Sequence, residues 1–110
     1  MKRRVLAVSG GSTLRVEEAI RSFAPDLILE DQTEAGYKAF KLAAEMKIGS
    51  ESYDTAEPMI SRLYLLDNRI PLVMLFPSVS DSNDISDAFV LARDKCLPLE
   101  VHYENGRVYS

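Results

Sequence analysis

The chain has 110 residues, 46% of them hydrophobic, and its 13 basic against 17 acidic side chains give a formal net charge of −4. That length suits one domain, and that apolar content is enough for a single buried core, which excludes a disordered chain. The only concentrated basic stretch is Lys2-Arg3-Arg4, read as a solvated flank of the first strand; without a basic face to neutralise many phosphates, duplex nucleic acid is not an expected partner.

The one cysteine, Cys96, rules out an internal disulfide and any zinc-ligand spacing, as suits a reducing compartment. Val5 to Val8 is too short an apolar stretch for a secretory signal. The longest apolar run, Pro71 to Phe76, falls far below the ~20 residues of a membrane span. A cytoplasmic protein without membrane contact is expected.

Apolar runs of strand length alternate with segments of helical period. Val5-Leu6-Ala7-Val8 favours a strand and stops at Ser9-Gly10-Gly11. Val16, Ala19, Ile20 and Phe23 then recur at helical spacing, with Glu17 and Glu18 in the first turn of the helix. Ala24-Pro25-Asp26 breaks it, and Leu27-Ile28-Leu29 forms a second strand. A second helix is predicted from about Glu34 to Met46, with Ala39, Ala43 and Met46 on one face and Tyr37, Phe40 and Ala44 beside them. A weak extended piece follows between Lys47 and Tyr53, and a third helix, Glu57 to Asn68, buries Met59, Leu63 and Leu66.

Leu72 to Phe76 is apolar on both faces, as at the centre of a parallel sheet. Beyond the polar loop Ser78 to Ser82, Asp81 or Ser82 can cap a fourth helix that turns Ile85, Ala88, Phe89 and Ala92 inward and ends near Lys95. Pro98 to Tyr103 is a last strand, and Asn105-Gly106 turns the chain into Arg107-Val108-Tyr109, a short antiparallel edge. This βαβ alternation predicts one α/β domain over 1–110: a three-layer, Rossmann-like parallel sheet of about five strands, with helices on both faces and a short C-terminal β-hairpin edge. Such sheets bind ligands outside the carboxyl ends of the strands, where the strand order reverses. That singles out the loop after the first strand and the loop after Phe76.

Ser9-Gly10-Gly11-Ser12-Thr13 joins strand to helix, so its glycines allow a ligand close to the backbone and helix-start amides can attract an anion. A plain tight turn accounts for the glycines equally well. In Pro77 to Asp84, the hydroxyls of Ser78, Ser80 and Ser82 could hold a phosphate or ribose. Asp81 and Asp84 would repel an anion there unless one faces away or meets a sugar hydroxyl, and a capped polar loop is the plainer reading. Glu30, Asp31 and Glu34 end the second strand at the same rim. They suit a cation, an acid–base pair, or simply a helix N-terminus with favourable charges. Arg62, on the third helix, can reach an anionic ligand or form a surface salt bridge. His102 has no second histidine to work with, Cys96 reads as a small packing residue, and no serine has a histidine and an acid in recognisable order.

Arg4 to Gly10, then Pro25-Asp26-Leu27-Ile28-Leu29, then Ala35 to Glu45 resemble the SLOG superfamily, specifically its small YspA-type branch, related to the DprA and LOG Rossmann proteins. Ala56-Glu57-Pro58-Met59 followed by Arg62 looks like that family's Ala-Gly-Pro-x-Arg-Asn segment. Leu75 to Asp84 resembles its Phe-Pro-Gly-Gly-x-Gly-Thr-x-Asp loop, and Ala88 to Val101 its closing helix and strand. The likeness covers nearly the whole chain, mostly at hydrophobic positions. Asp31 to Tyr37 replaces the family's Gly-Gly-Ala-x-Gly-Ala-Asp segment, Ile60 and Ser61 stand at its Arg-Asn pair, and Ser78, Val79 and Asp81 replace loop glycines. Ala7 to Ser12 is also similar to the opening of the PP-loop of ATP pyrophosphatases, with Thr13-Leu14 where that motif has Asp-Ser.

The SLOG resemblance implies a domain that binds or senses a nucleotide-derived small molecule, without metal or cofactor. Its contacts would be Gly10, Gly11, Ser12, Thr13, Asp31, Arg62, Ser78, Ser80, Ser82 and Asp84, and a homodimer is one assembly open to it. The LOG branch hydrolyses nucleotide N-glycosidic bonds, but its catalytic Arg and Glu have no clear counterpart here. Two other readings stay open. One is a non-catalytic interaction domain, of phage or mobile-element kind, that kept the fold and lost the pocket; the other is a small N-glycosidase-like hydrolase using Glu30, Asp31 and Glu34.

Overall fold

Alternation along the central strands splits the core into two layers, one on each face of a sheet. The structure, a computed structural model, describes residues 2–78 and 82–110. In chain order it runs β1 (Arg3–Ser9), α1 (Val16–Phe23), β2 (Leu27–Glu30), α2 (Glu34–Met46), β3 (Gly49–Ser52), α3 (Ala56–Leu65) and β4 (Arg69–Leu75). A 3-10 turn (Ser82–Ile85), α4 (Ser86–Asp94), β5 (Leu99–His102) and β6 (Val108–Tyr109) complete it. Leu6, Val8, Ile28, Leu72 and Met74 pack beneath α1 and α2, while Val5, Ala7, Leu27, Leu29, Val73 and Leu75 face α3 and α4. Each fully buried Leu, Ile or Val contributes roughly 1.5–3 kcal/mol, so both faces of the sheet carry the fold.

The sheet order is β3-β2-β1-β4-β5-β6. All neighbours are parallel except β6, which pairs antiparallel with β5. This is the three-layer α/β arrangement expected from the alternation, with the order reversing between β1 and β4. Pro71 is tolerated in an inner strand because β5 begins opposite Val73, whose N–H bonds Pro98 O at 3.0 Å. At Pro71 that side of β4 has no β5 residue paired, so its missing N–H leaves no ladder bond unmade.

Several expectations change at side-chain level. Helix α2 buries Ala35, Gly36, Ala39, Leu42 and Ala43, so it lies close on the sheet and pushes Tyr37 and Phe40 out to its flank, 59% and 43% exposed. Helix α3 stops at Leu65, leaving Leu66 half-buried at its C-cap. Cys96 does not pack inward: it follows α4 in a left-handed conformation (φ 55°) and is exposed. The N-cap position of α4 is Ile85, without a side-chain cap bond; Ser82 opens the 3-10 turn instead, and Asp81 lies outside the described residues. The hairpin turn is longer than Asn105-Gly106, because Gly106 N bonds Tyr103 O and Tyr103 N bonds Arg107 O. That is a three-residue loop with positive φ at Gly106 (93°).

Candidate functional site

At the carboxyl edge of the sheet, β1 and β4 end side by side. Gly10 has φ 138°, and a Cβ there would lie 2.2 Å from Phe76 O. The crowding comes from the neighbouring strand end, so Gly10 is a requirement of the fold. Its N–H donates to Thr33 Oγ1 at 3.1 Å, Ser12 N–H donates to Phe76 O at 3.0 Å, and Leu14 N–H donates to Ser12 Oγ at 3.3 Å. Ser12 Oγ in turn donates to Glu104 Oε2 at 2.6 Å. Thr13 is exposed, and its carbonyl accepts from Val16 N–H. Helix α1 begins only at Val16, so its first amides do not stand at the glycine turn as the sequence suggested.

The second loop meets the first through Asp84. Ser78 N–H donates to Asp84 Oδ2 at 3.2 Å, and a Cβ on Gly11 would lie 2.1 Å from that same oxygen. Among the described residues Asp84 Oδ1 is buried and has no hydrogen-bond partner. The structure thus brings Gly10, Gly11, Ser12, Ser78 and Asp84 together around one turn. Ser80 lies outside the described residues, and of Ser82 only the backbone placement is described.

The acidic stretch after β2 is built into the same rim. Asp31 is buried; it accepts from Ser9 Oγ at 2.6 Å and from Thr33 Oγ1 at 2.8 Å. Thr33 caps α2 by accepting from Gly36 N–H at 3.2 Å, an arrangement worth about 1 kcal/mol. Glu30, only 2% exposed, accepts from Gln32 N–H at 2.7 Å and from the Ser52 hydroxyl. Gln32 takes a positive φ of 66° to make this turn, a strain of roughly 1–3 kcal/mol that tends to persist where a site requires it. Gly36 admits the carboxylates to the helix start: a Cβ there would lie 2.9 Å from Glu30 Oε1.

A cavity of about 470 Å³ opens beside this turn, lined by Glu30, Gln32, Thr33, Glu34, Tyr37, Phe40 and Ser52. Its size is that of small-molecule sites, and its lining includes the buried Glu30 carboxylate and the rings of Tyr37 and Phe40. A hollow of about 480 Å³ lies between α1 and the sheet, lined by Arg4, Phe23, Leu72, Met74, Glu100 and His102 among others. Another, of about 530 Å³ between the starts of α3 and α4, is walled by Glu57, Asp87, Val90 and Leu91 and, among the described residues, has no buried polar group or aromatic wall. No family model, curated protein or solved structure matches this chain. The geometry of the rim alone therefore carries the functional reading.

Arg62 belongs to a separate cluster. Its Nε bonds Glu51 Oε1 on β3 at 3.2 Å, and the Tyr53 hydroxyl donates to the same carboxylate. The Tyr53 hydrogen bond holds Glu51 below its ordinary 4.5. Burial, reinforced by Glu51, pushes Tyr53 from 10.0 up to about 12. Arg62 is thus engaged in a surface salt bridge, one of the two roles its position offered. Elsewhere His102 stacks on Phe76 with centroids 5.2 Å apart and bonds Glu100 at 2.9 Å. Among the described residues no His, Cys, Asp and Glu group suits a metal ion, and no helix is long and apolar enough to cross a membrane.

Sequence reasoning reached the rim through the stretch from Glu30 to Glu34 but missed Gly36, Tyr37, Phe40 and Ser52 as parts of it. A signal was present: a glycine inside a helical pattern costs about 1 kcal/mol against alanine and calls for a packing reason.

Proposed function

We propose that this protein is a non-catalytic binding domain for a small nucleotide-derived ligand of SLOG-like kind, and that it recognises the nucleoside part. The observation that carries the reading is the Glu30 carboxylate at the end of β2, lining the cavity flanked by Tyr37 and Phe40. Doubly wound sheets use an acidic residue about 20 residues past the first glycine of the β1 turn to accept from ribose hydroxyls, and Glu30 stands at that spacing from Gly10. Exposed aromatic rings beside it offer a face for a base, since stacking is worth about 1–3 kcal/mol per base. Thr33 both lines the cavity and accepts from Gly10 N–H, which joins the cavity to the glycine turn.

Thermal unfolding in the presence of a panel of nucleosides and 5′-mononucleotides tests this. At a hundredfold excess over the dissociation constant, a bound nucleoside stabilises by about 2.7 kcal/mol. Phe40→Ala removes an exposed ring and costs the fold little, within about 0.5 kcal/mol, yet should abolish the shift. A panel with no active member, or a shift that survives Phe40→Ala, overturns the assignment.

A further inference from the structure

We infer that the C-terminal hairpin is a second binding surface, independent of the nucleoside cavity, and that it takes a short stretch of single-stranded nucleic acid. Tyr103 and Tyr109 stack its bases, and Arg107 and Arg93 meet its phosphates. The two tyrosines, 41% and 46% exposed, line a hollow of about 360 Å³ together with Asn105 and Arg107. Tyr109 pairs with Val101 across β5 and β6, and Tyr103 N–H donates to Arg107 O at 2.9 Å. The rings are therefore diagonal neighbours on one face of the hairpin. Such positions lie about 7–8 Å apart, a reach that suits successive bases of an extended strand. The same face continues onto α4, where the Phe89 ring lies 6.2 Å from Tyr109 and the Arg93 guanidinium stands 5.6 Å over Phe89.

Charge complements the rings. Among the described residues no acid lines this hollow, and neither Arg93 nor Arg107 has a carboxylate within ion-pair distance. Period-two alternation sends the neighbouring acids elsewhere. Glu100, with His102 and Val108, lines the hollow beside α1, and Glu104 accepts from Ser12 Oγ at 2.6 Å. Exposed rings beside free guanidinium groups match a base-bearing polyanion, because every base offers a face to stack and the arginines track the backbone. With two arginines on a chain of formal net charge −4, this surface neutralises few phosphates. A single strand with accessible bases is therefore favoured over a duplex held by its backbone alone.

Fluorescence anisotropy of a labelled single-stranded oligodeoxythymidine tests this. Binding should be saturable at low salt, and Tyr103→Ala should weaken it at least about fivefold, the loss of one stacked base. Tyr103→Phe, which keeps the ring, should bind like wild type and so separates stacking from a folding defect. With two phosphates engaged, the logarithm of the affinity should fall against that of salt with a slope of about −1.4, and Arg107→Gln should reduce the slope to about −0.7. Phe40→Ala, in the nucleoside cavity, should leave the affinity for the strand unchanged, so this titration and the nucleoside panel fail separately. The inference is overturned by the absence of saturable binding, by a Tyr103→Ala variant that binds as tightly as wild type, by a salt slope untouched in Arg107→Gln, or by loss of the strand with Phe40→Ala.

Discussion

Replacing Gly10 with alanine should damage the fold more than any other single methyl group added at the rim. The new Cβ would lie 2.2, 2.6 and 2.7 Å from the carbonyl oxygen, carbonyl carbon and amide nitrogen of Phe76, all backbone atoms of the neighbouring strand end. Relief requires that strand end to retreat by about 1 Å, since carbon contacts settle near 3.5–4.0 Å. Two bonds depend on its position: Phe76 N–H to Ser9 O at 2.9 Å, and Ser12 N–H to Phe76 O at 3.0 Å. Each is worth about 0.5–1.5 kcal/mol, and the positive φ of 138° adds a strain of roughly 1–3 kcal/mol for an L-residue. The expected loss is about 2–6 kcal/mol, a large share of an ordinary domain's ~5–15 kcal/mol, and the melting temperature should fall by about 10 °C or more.

Gly11→Ala is the matched control. Its methyl meets only the end of the Asp84 side chain, and its φ lies outside the positive region, so its net cost should be about 1 kcal/mol. Urea unfolding followed by circular dichroism measures both, as a shift in midpoint at constant slope. The reasoning is refuted if Gly10→Ala unfolds at the wild-type midpoint, or if Gly11→Ala proves the costlier of the two.

Thr33→Ala removes the α2 cap and leaves Gly10 N–H and Asp31 Oδ1 each short of a partner; a loss of about 2–3 kcal/mol is expected in the same urea assay, and a neutral result would show that the three bonds are not coupled. Tyr53 titrates at about 12 in the folded chain against an ordinary 10.0. Its contribution is therefore intact below pH 10 and lost as pH rises towards 12, and Tyr53→Phe should flatten that part of the stability profile. Glu51 is depressed chiefly by the same hydroxyl, so its stabilisation is present above its ordinary value and lost as pH falls below it. Tyr53→Phe should shrink this acid loss too, and a variant profile parallel to wild type at both ends would contradict the assignment.

Backbone architecture was legible because it follows from period and punctuation. Val5–Val8, Leu27–Leu29 and Leu72–Leu75 are buried stretches of strand, and the reversal between β1 and β4 brought the two suspected loops together. Side-chain geometry at the rim was not legible, for reasons that reside in long-range packing. Tyr37 and Phe40 fit the apolar period of α2, but its buried face is made of alanines, Gly36 and Leu42, which leaves no depth for rings. Asp84 reaches Gly11 and Glu104 reaches Ser12 only after three separate strands have docked. The helix-start amides counted on at Gly11 failed to appear because α1 starts at Val16, the residue at which the apolar period itself begins.

The pairing of β1 with β4 runs over seven register positions, from Arg3–Arg69 to Ser9–Leu75, and it joins the N-terminal half of the sheet to the C-terminal half, with α3 packed across the seam onto β1 and β2. The glycine turn comes from one half, Ser78 and Asp84 from the other. A polypeptide cut between β3 and α3 would keep every residue lining the aromatic cavity on its first fragment, while the glycine turn would regain its bonds to Phe76 only when the two pieces zip along that seam, which makes the strand order itself a natural basis for fragment complementation.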